Sequence, residues 1–262
     1  MKLLELLRDS FAGINARFHL VGVSTLVSLL VPMSFMVVGE GDEWAPLVFM
    51  GLFVAYGVSF AIQGLAYHAA ADPPGRPRPS GVRLGLLLFP TLLWLQARLL
   101  LLCYILPFLL VLAVEALRTG AVPEENWAKQ AEFWVRIFAQ VTSLLLTTAS
   151  TPLAIRLREA GRRGRAIRDS LRFFSARRRE TALILALIVP AALLGAVIEI
   201  LRGPAATDPV PRLPEAFAIF VGSYLELVAL FAASRVLTVG LPLVTRDADR
   251  PMADPSEAPP AA

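Results

Sequence analysis

The stretch RLREAGRRGRAIRDSLRFFSARRRE, residues 156–180, decides how the rest of the chain is arranged. It holds ten arginines and three acidic residues, and a long apolar segment lies on each side of it. A charge at the centre of a bilayer costs about 2.5–3.5 kcal/mol even on insertion scales, so this stretch does not cross a membrane. Because Lys and Arg accumulate in cytoplasmic loops, we predict that it lies on the cytoplasmic side.

The composition is typical of a multi-pass membrane protein and not of a soluble domain, because 56% of the 262 residues are hydrophobic. The basic residues stand in short loops beside apolar segments, which the positive-inside rule produces by itself, so no nucleic-acid partner is expected. Cys103, the single cysteine, lies inside an apolar segment and has no partner for a disulfide. Charged residues interrupt the first 17 positions, so no cleavable signal peptide is expected.

Six apolar segments have about the length that crosses the ~30 Å hydrocarbon core of a bilayer. They are residues 19–38, 46–68, 99–117, 131–155, 181–201 and 215–241. The predicted fold class is therefore all-α, a polytopic integral membrane protein with six transmembrane helices. Counting from the arginine-rich stretch places both termini in the cytoplasm, and we expect the bacterial cytoplasmic (inner) membrane. Residues 1–244 are predicted to form one membrane domain, and residues 245–262 a disordered tail rich in Pro, Ala and acidic residues.

Three further segments are predicted to lie in the membrane interface as amphipathic helices. The N-terminal segment places apolar side chains on one helical face and charged side chains on the other. The second segment, residues 80–97, is expected to bend or break at Pro90 and to be followed by a separate crossing. In the third segment, Ile167, Leu171 and Phe174 share one face, and arginines lie opposite.

An internal period of about 80 residues links these elements. The tripeptides are Asn-Ala-Arg at 15–17, Gln-Ala-Arg at 96–98 and Ser-Ala-Arg at 175–177, and each marks the point where an interfacial helix meets an outward crossing. An Arg-Asp-Ser motif at 8–10 recurs at 168–170. The pattern predicts a threefold parallel repeat. Its units cover about 1–72, 73–158 and 159–244, each with one interfacial helix and one out-and-back pair of crossings.

A family resemblance rests on residues around the arginine-rich stretch. Pro152, Glu159 and Gly161 precede the segment AIRDSL at 166–171, and three arginines at 177–179 lead into a new apolar segment. This order resembles bacterial six-helix membrane families of unknown function, labelled Yip-like or "glycerophosphoryl diester phosphodiesterase membrane domain". The resemblance implies the six-helix layout. It implies no catalytic residues, since any phosphodiesterase chemistry in those families belongs to a separate soluble domain.

Glu226 is the deepest charge in the predicted crossings, and an ionisable group at that depth is a functional-site hypothesis. Arg136, Gln140, Glu115 and Glu199 fall in the outer halves of other crossings, so we predict that they form an intramembrane polar cluster with Glu226. Arg136 is the expected partner of Glu226. The alternatives are a buried pair that only fixes helix packing, or a Glu226 carboxyl kept neutral by desolvation and hydrogen-bonded to Gln140.

The arginine-rich stretch is predicted to fix the topology and to contact anionic lipid headgroups, each arginine contributing about 1 kcal/mol near the surface. The residues assigned to headgroup or partner binding are Arg162, Arg163, Arg165, Arg168, Arg172, Arg177, Arg178 and Arg179. The alternative is a docking platform for an acidic protein partner or a second copy of the chain, for which the acidic tail would compete.

Motifs for catalysis are lacking: the sequence has no phosphate-binding loop, no Asp-rich metal motif and no Gly-x-Ser-x-Gly elbow, so no enzyme activity is expected. His19 and His68 could ligate haem or a metal, but the sequence offers no further ligands, and no cofactor or metal is expected. Two functions follow. The leading one is a non-enzymatic membrane subunit or scaffold that organises lipid or a partner complex through its basic cytoplasmic face. The alternative is a transporter or permease component with a polar pathway around Glu226 and Arg136.

Overall fold

The computed structural model describes residues 3–39, 45–71, 80–120, 125–162, 165–202 and 212–240. Every regular element in these ranges is a helix, so the predicted all-α class is confirmed for the described part of the chain. The predicted disordered tail, 245–262, lies outside the described residues.

Nine α-helices follow one another in the described ranges. They are α1 (Leu3–Asn15), α2 (Phe18–Gly39), α3 (Ala45–Ala71), α4 (Gly81–Leu100), α5 (Leu106–Thr119), α6 (Glu125–Glu159), α7 (Ala166–Ser175), α8 (Arg178–Arg202) and α9 (Leu213–Gly240). The Ser80 hydroxyl caps α4 by accepting a hydrogen bond from the Arg83 backbone N–H. Gly120, at φ 68°, ends α5 in the left-handed conformation that glycine adopts without strain.

Among the described residues, five stretches of helix are long and apolar enough to cross a membrane. They are Ala45–Ala71, Gly81–Thr119, Asn126–Glu159, Arg178–Ile198 and Leu213–Gly240. A sixth span is obtained if Leu3–Asn15 and Phe18–Leu30, which meet at an angle of 74°, form one broken span. The chain is thus a multi-pass membrane protein, with five or six candidate spans in the ranges that the structure describes. The count of six crossings and their direction remain predictions.

The region 81–119 differs from the prediction of an interfacial helix followed by a separate crossing. A π-helical turn, Leu101–Ile105, joins α4 to α5, and Gly81–Thr119 is one candidate span of 39 residues. Pro90 lies inside α4 and does not interrupt it, so of the bend or break expected at this residue the break is excluded. Packing explains the continuity, because Leu88 and Leu92 on either side of Pro90 are fully buried and hold both halves of α4 in place.

The two other predicted amphipathic segments form separate short helices. In α1 the buried residues are Leu6, Ser10 and Ile14, and in α7 they are Ser170 and Phe174. Leu171, which was predicted on the apolar face of α7, is 47% exposed. Both helices therefore have one packed face and one open face, as an interfacial helix requires.

Helix packing follows a cyclic order. The first helix of each predicted unit packs against the last helix of the preceding unit: α4 against α3, α7 against α6, and α1 against α9. The three last helices, α3, α6 and α9, also contact one another. This is the order that a closed threefold repeat would produce, although the repeat itself stays a prediction.

Candidate functional site

A cavity of about 490 Å³, the central cavity, lies among α2, α3, α4, α6, α8 and α9. Each of the three predicted repeat units contributes two of these helices. The volume is in the range of pockets that hold small molecules, roughly 300–1,000 Å³. Glu226 lines it from a position near the middle of α9.

The lining of the central cavity is rich in hydroxyl and amide groups. The polar residues are Ser24, Ser28, Tyr56, Ser59, Gln63, Gln96, Gln140, Ser143, Thr147, Ser223 and Glu226. Glu226 is the one charged residue in this lining, as far as the chain is described. Polar groups inside a membrane bundle are costly and usually face the bundle interior or a water-filled cavity.

Several of these polar atoms have no partner in the described part of the chain. No hydrogen bond or ion pair reaches the Glu226 carboxylate there, and the buried Gln63 Oε1 has no hydrogen-bond partner. Ser143 differs, because its hydroxyl donates to the Gln140 carbonyl one turn earlier, at 3.3 Å. An unsatisfied buried polar group costs about 1–3 kcal/mol, so these free acceptors favour a ligand or water as an occupant.

Small residues shape the cavity wall. A Cβ atom added to Gly195 of α8 would collide with the Gln140 side-chain nitrogen, so glycine makes room for the amide. Ser59, Ser143 and Ser223 stand about 80 residues apart and line the cavity from α3, α6 and α9 respectively. The spacing is the one predicted for the repeat, and it puts one hydroxyl from each unit at the cavity.

The structure brings together two members of the predicted polar cluster. Glu226 and Gln140 line the same cavity, whereas Arg136 lies outside the lining, is exposed and makes no ion pair with Glu226 in the described chain. Arg136 precedes Gln140 by one helical turn, about 6 Å along α6, which moves it toward the start of that helix. Glu115 instead binds its neighbour Arg118, with Nη2 2.7 Å from Oε1. The side chain of Glu199 lies outside the described residues.

The other polar lining residues were missed from the sequence, although a signal for them exists. Pairs of polar residues four apart recur inside apolar helices. They are Ser24 with Ser28 on α2, Ser59 with Gln63 on α3, and Ser143 with Thr147 on α6. Residues four apart share a helical face, so each pair marks a polar strip that points into the bundle.

Two arginines of the arginine-rich stretch cap the carboxyl end of α9. Arg156 Nη1 donates to the Leu237 carbonyl at 3.3 Å, and Arg177 Nη2 donates to the Gly240 carbonyl at 3.4 Å. Cationic side chains at this position satisfy the free carbonyls and the negative end of the helix dipole. We call the end of the bundle where α6 and α9 terminate and α7 lies the basic end.

Most of the predicted headgroup-binding arginines are exposed at the basic end. The exposed ones are Arg162, Arg165, Arg168, Arg172, Arg178 and Arg179, whereas Arg177 is half-buried. Within the described ranges none of the exposed six pairs with a carboxylate. Arg163 lies outside the described residues.

The two histidines occupy different surroundings. His68, near the end of α3, lies with Nε2 2.9 Å from Glu159 Oε1 of α6, whereas His19 is exposed on α2. Across the described ranges, no three side chains of His, Cys, Asp and Glu lie close enough together to hold a metal ion. The His68–Glu159 pair therefore joins the ends of two helices and offers no ligand set.

The comparisons with known proteins leave the family open. No protein-family model, curated protein or solved structure matches this chain. The resemblance to six-helix families stays a prediction that rests on the residues quoted for it.

Proposed function

We propose that the protein binds a small, positively charged polar solute in the central cavity and transports it across the membrane. One observation carries this proposal. The unpaired carboxylate of Glu226 faces a cavity of about 490 Å³ that hydroxyl and amide groups line, in the middle of a bundle of candidate spans. We propose no enzymatic reaction for this site.

The charge of the solute follows from the lining. Glu226 has no basic residue beside it in the described lining, so a cationic ligand would supply the partner that its carboxylate lacks. Coulomb attraction is several times stronger in a low-dielectric interior than in water, which favours an ammonium or guanidinium group at this position. The surrounding serine hydroxyls and glutamine side-chain carbonyls can accept hydrogen bonds from the N–H groups of such a cation.

Transport is favoured over a purely structural role because of where the polar groups lie. A carboxylate that fixed helix packing would need a partner on a neighbouring helix, and the described residues offer none to Glu226. Substrate sites of many transporters lie near the bilayer midplane between internal repeats. The central cavity has this position relative to the three predicted units.

The proposed orientation places the basic end in the cytoplasm of a bacterial inner membrane, with both termini on that side. It is supported by the exposed arginines at that end, since Lys and Arg are enriched in cytoplasmic loops. The cavity then opens alternately to the two sides of the membrane.

The test begins with the purified full-length chain in lipid nanodiscs and a panel of amines, polyamines, amino acids, guanidinium compounds and uncharged polyols. We expect at least one cationic compound to raise the melting temperature and then to enter proteoliposomes that contain the protein. Glu226→Gln keeps the shape of the side chain and removes its charge. It should weaken binding of that compound at least tenfold, about 1.4 kcal/mol, and abolish uptake.

Glu115→Gln is the matched control, because it removes a carboxylate of the same type that lies outside the cavity lining. It should leave binding and uptake unchanged. Equal binding by the Glu226→Gln variant, or stabilisation by polyols alone, would refute a cation site at Glu226.

A second candidate is the scaffold that organises a partner complex. The observation that favours it is the set of six exposed arginines at the basic end, none of them paired with a carboxylate in the described ranges. Native mass spectrometry of complexes extracted from the protein's own membrane would then find an acidic partner at a fixed ratio. The Arg168→Glu/Arg172→Glu double variant should lose that partner, whereas retention of the partner would contradict the role of α7.

A further inference from the structure

A second cavity, of about 470 Å³, lies at the basic end between α4, α6 and α7. It shares no lining residue with the central cavity. Three arginines line it: Arg98 from α4, and Arg158 and Arg162 from the end of α6 and the residues after it. The remaining wall is mostly apolar and includes Trp94. We call it the arginine pocket.

The described residues place no acidic side chain against the three positive charges of the arginine pocket. Within the described ranges, no carboxylate lines the pocket, and none of the three guanidinium groups pairs with an acidic side chain. Like charges that share one cavity repel each other, so the arrangement is stabilised when an anion lies between them. Arg98 is also held in place, because its guanidinium lies over the Trp94 ring, 4.8 Å from the centroid.

The start of α7 adds to the attraction for an anion. Ala166 and Ile167, its first residues, line the pocket, and no side chain caps the helix at Arg165. Uncapped N–H groups and the positive end of the helix dipole bind phosphate and other anions. Asp169 in the first turn of α7 opposes this effect, but it is exposed and does not line the pocket.

The wall of the pocket argues for a lipid and against a free ion. Pro90, Leu95 and Leu157 give it an apolar side. Along the same helix, α4, Leu86 is 74% exposed and Trp94 is 61% exposed, so an acyl chain would find an apolar outer face next to the guanidinium groups. Trp beside Arg is also the pair expected where a protein meets lipid headgroups.

We propose that the arginine pocket binds the phosphate of an anionic membrane lipid. The lipid's acyl chains lie along the outer face of α4, and its phosphate bridges α4 to the end of α6 and the start of α7. This specific site differs from the general attraction of the arginine-rich stretch for a charged surface, since Arg98 and Arg158 are outside the set that the sequence assigned to headgroups.

The experiment is native mass spectrometry of the delipidated full-length chain, titrated in turn with phosphatidylglycerol, cardiolipin and phosphatidylcholine. We expect the two anionic lipids to bind more tightly than phosphatidylcholine. Replacing Arg98, Arg158 or Arg162 by Gln should weaken phosphatidylglycerol binding about fivefold per arginine. Arg168→Gln and Arg172→Gln are matched controls, because these arginines of α7 are exposed, as the three pocket arginines are, but do not line the pocket. They should keep the wild-type affinity.

Three outcomes would overturn the proposal. If the control variants weaken phosphatidylglycerol binding equally, the lipid binds to the general surface charge. If the variant with all three pocket arginines replaced by Gln binds the lipid as the wild type does, the pocket is not the site. Inorganic phosphate in millimolar excess that displaces the lipid, and binds alone with the same dependence on the three arginines, would identify a free-phosphate site instead. If Arg98→Gln alters the fold by losing its contact with Trp94, the Arg158→Gln/Arg162→Gln double variant gives the same test.

Discussion

Glu226 defines the candidate site at the scale of single residues. Its carboxylate faces the central cavity, and no described side chain forms a hydrogen bond or an ion pair with it. A hydroxyl pair elsewhere in the bundle shows the contrast: Ser150 of α6 and Ser170 of α7 are both fully buried, with 3.0 Å between their Oγ atoms. These two hydroxyls, which join α6 to α7, are hydrogen-bonded to each other, whereas the Glu226 carboxylate has no such partner among the described residues.

Glu226→Gln is predicted to leave the fold intact. The amide has the shape of the carboxylate, loses no described partner and removes the cost of a desolvated charge, so the free energy of unfolding should stay constant or rise by about 1 kcal/mol. Thermal unfolding in detergent measures this effect. Ser150→Ala serves as the comparison and should lose about 0.6 kcal/mol, the mean for hydrogen bonds between membrane helices. A loss above about 2 kcal/mol for Glu226→Gln would mean that the carboxylate has a structural partner.

At the scale of elements, the contact of α3 with α4 depends on glycines. A Cβ atom on Gly85 would lie 2.9 Å from the Gly57 carbonyl oxygen and 3.2 Å from Ala61 Cβ. A Cβ atom on Gly64 would instead meet the flexible ends of Leu84 and Leu88. Small residues let membrane helices approach closely, and close approach maximises the dispersion contacts that hold them together.

Gly85→Ala is predicted to weaken the contact of α3 with α4. The new methyl group meets a backbone carbonyl that cannot rotate away, so we expect a loss of about 1–3 kcal/mol. Gly51→Ala on the same α3 is the matched control. Nothing lies within 4 Å of its added Cβ, and alanine there should be neutral or stabilising by up to about 1 kcal/mol. Thermal unfolding of both variants gives the answer, and equal stability of the two would contradict the close contact.

At the scale of the whole molecule, the helices form a ring of three predicted units around the central cavity. The cavity takes two helices from each unit, whereas the basic end gathers the exposed arginines and the arginine pocket. An acidic side chain thus lies inside the bundle, and the exposed basic side chains lie at one end of it. The orientation of the chain in the membrane then decides which compartment the basic end faces.

Cysteine scanning is predicted to show this topology. Cys103 is buried, and Cys103→Ser gives a background without cysteine. In intact cells a membrane-impermeant thiol reagent should label Thr119→Cys from outside, whereas Arg172→Cys should be labelled only in inverted vesicles. Ser143→Cys and Ser223→Cys should react because they face the polar cavity, whereas Leu110→Cys, on an exposed apolar face, should not. Labelling of positions 119 and 172 from the same side would refute the predicted orientation.

Hydropathy and charge order were enough to predict the class of this protein. They identified an all-α, multi-pass chain, the short amphipathic helices α1 and α7, and the arginine-rich end. Each of these properties depends only on the order of apolar and charged residues along the chain. The same reasoning placed Glu226 inside a span and Gln140 near it. For Pro90 it predicted a bend or a break, and the helix does not break there, because the packing of α4 overrides the local signal of the proline.

Only the tertiary structure decided which side chains meet. Residues turn by about 100° each along a helix, and in helices that are apolar all round, the sequence does not fix which face turns inward. The rotation and crossing of the helices therefore brought Gln96 to the central cavity and left Arg136 outside it. In the same way they brought Arg98 beside Arg158 and Arg162, far apart in sequence, because a shared pocket depends on how helices pack and not on the composition of any one of them.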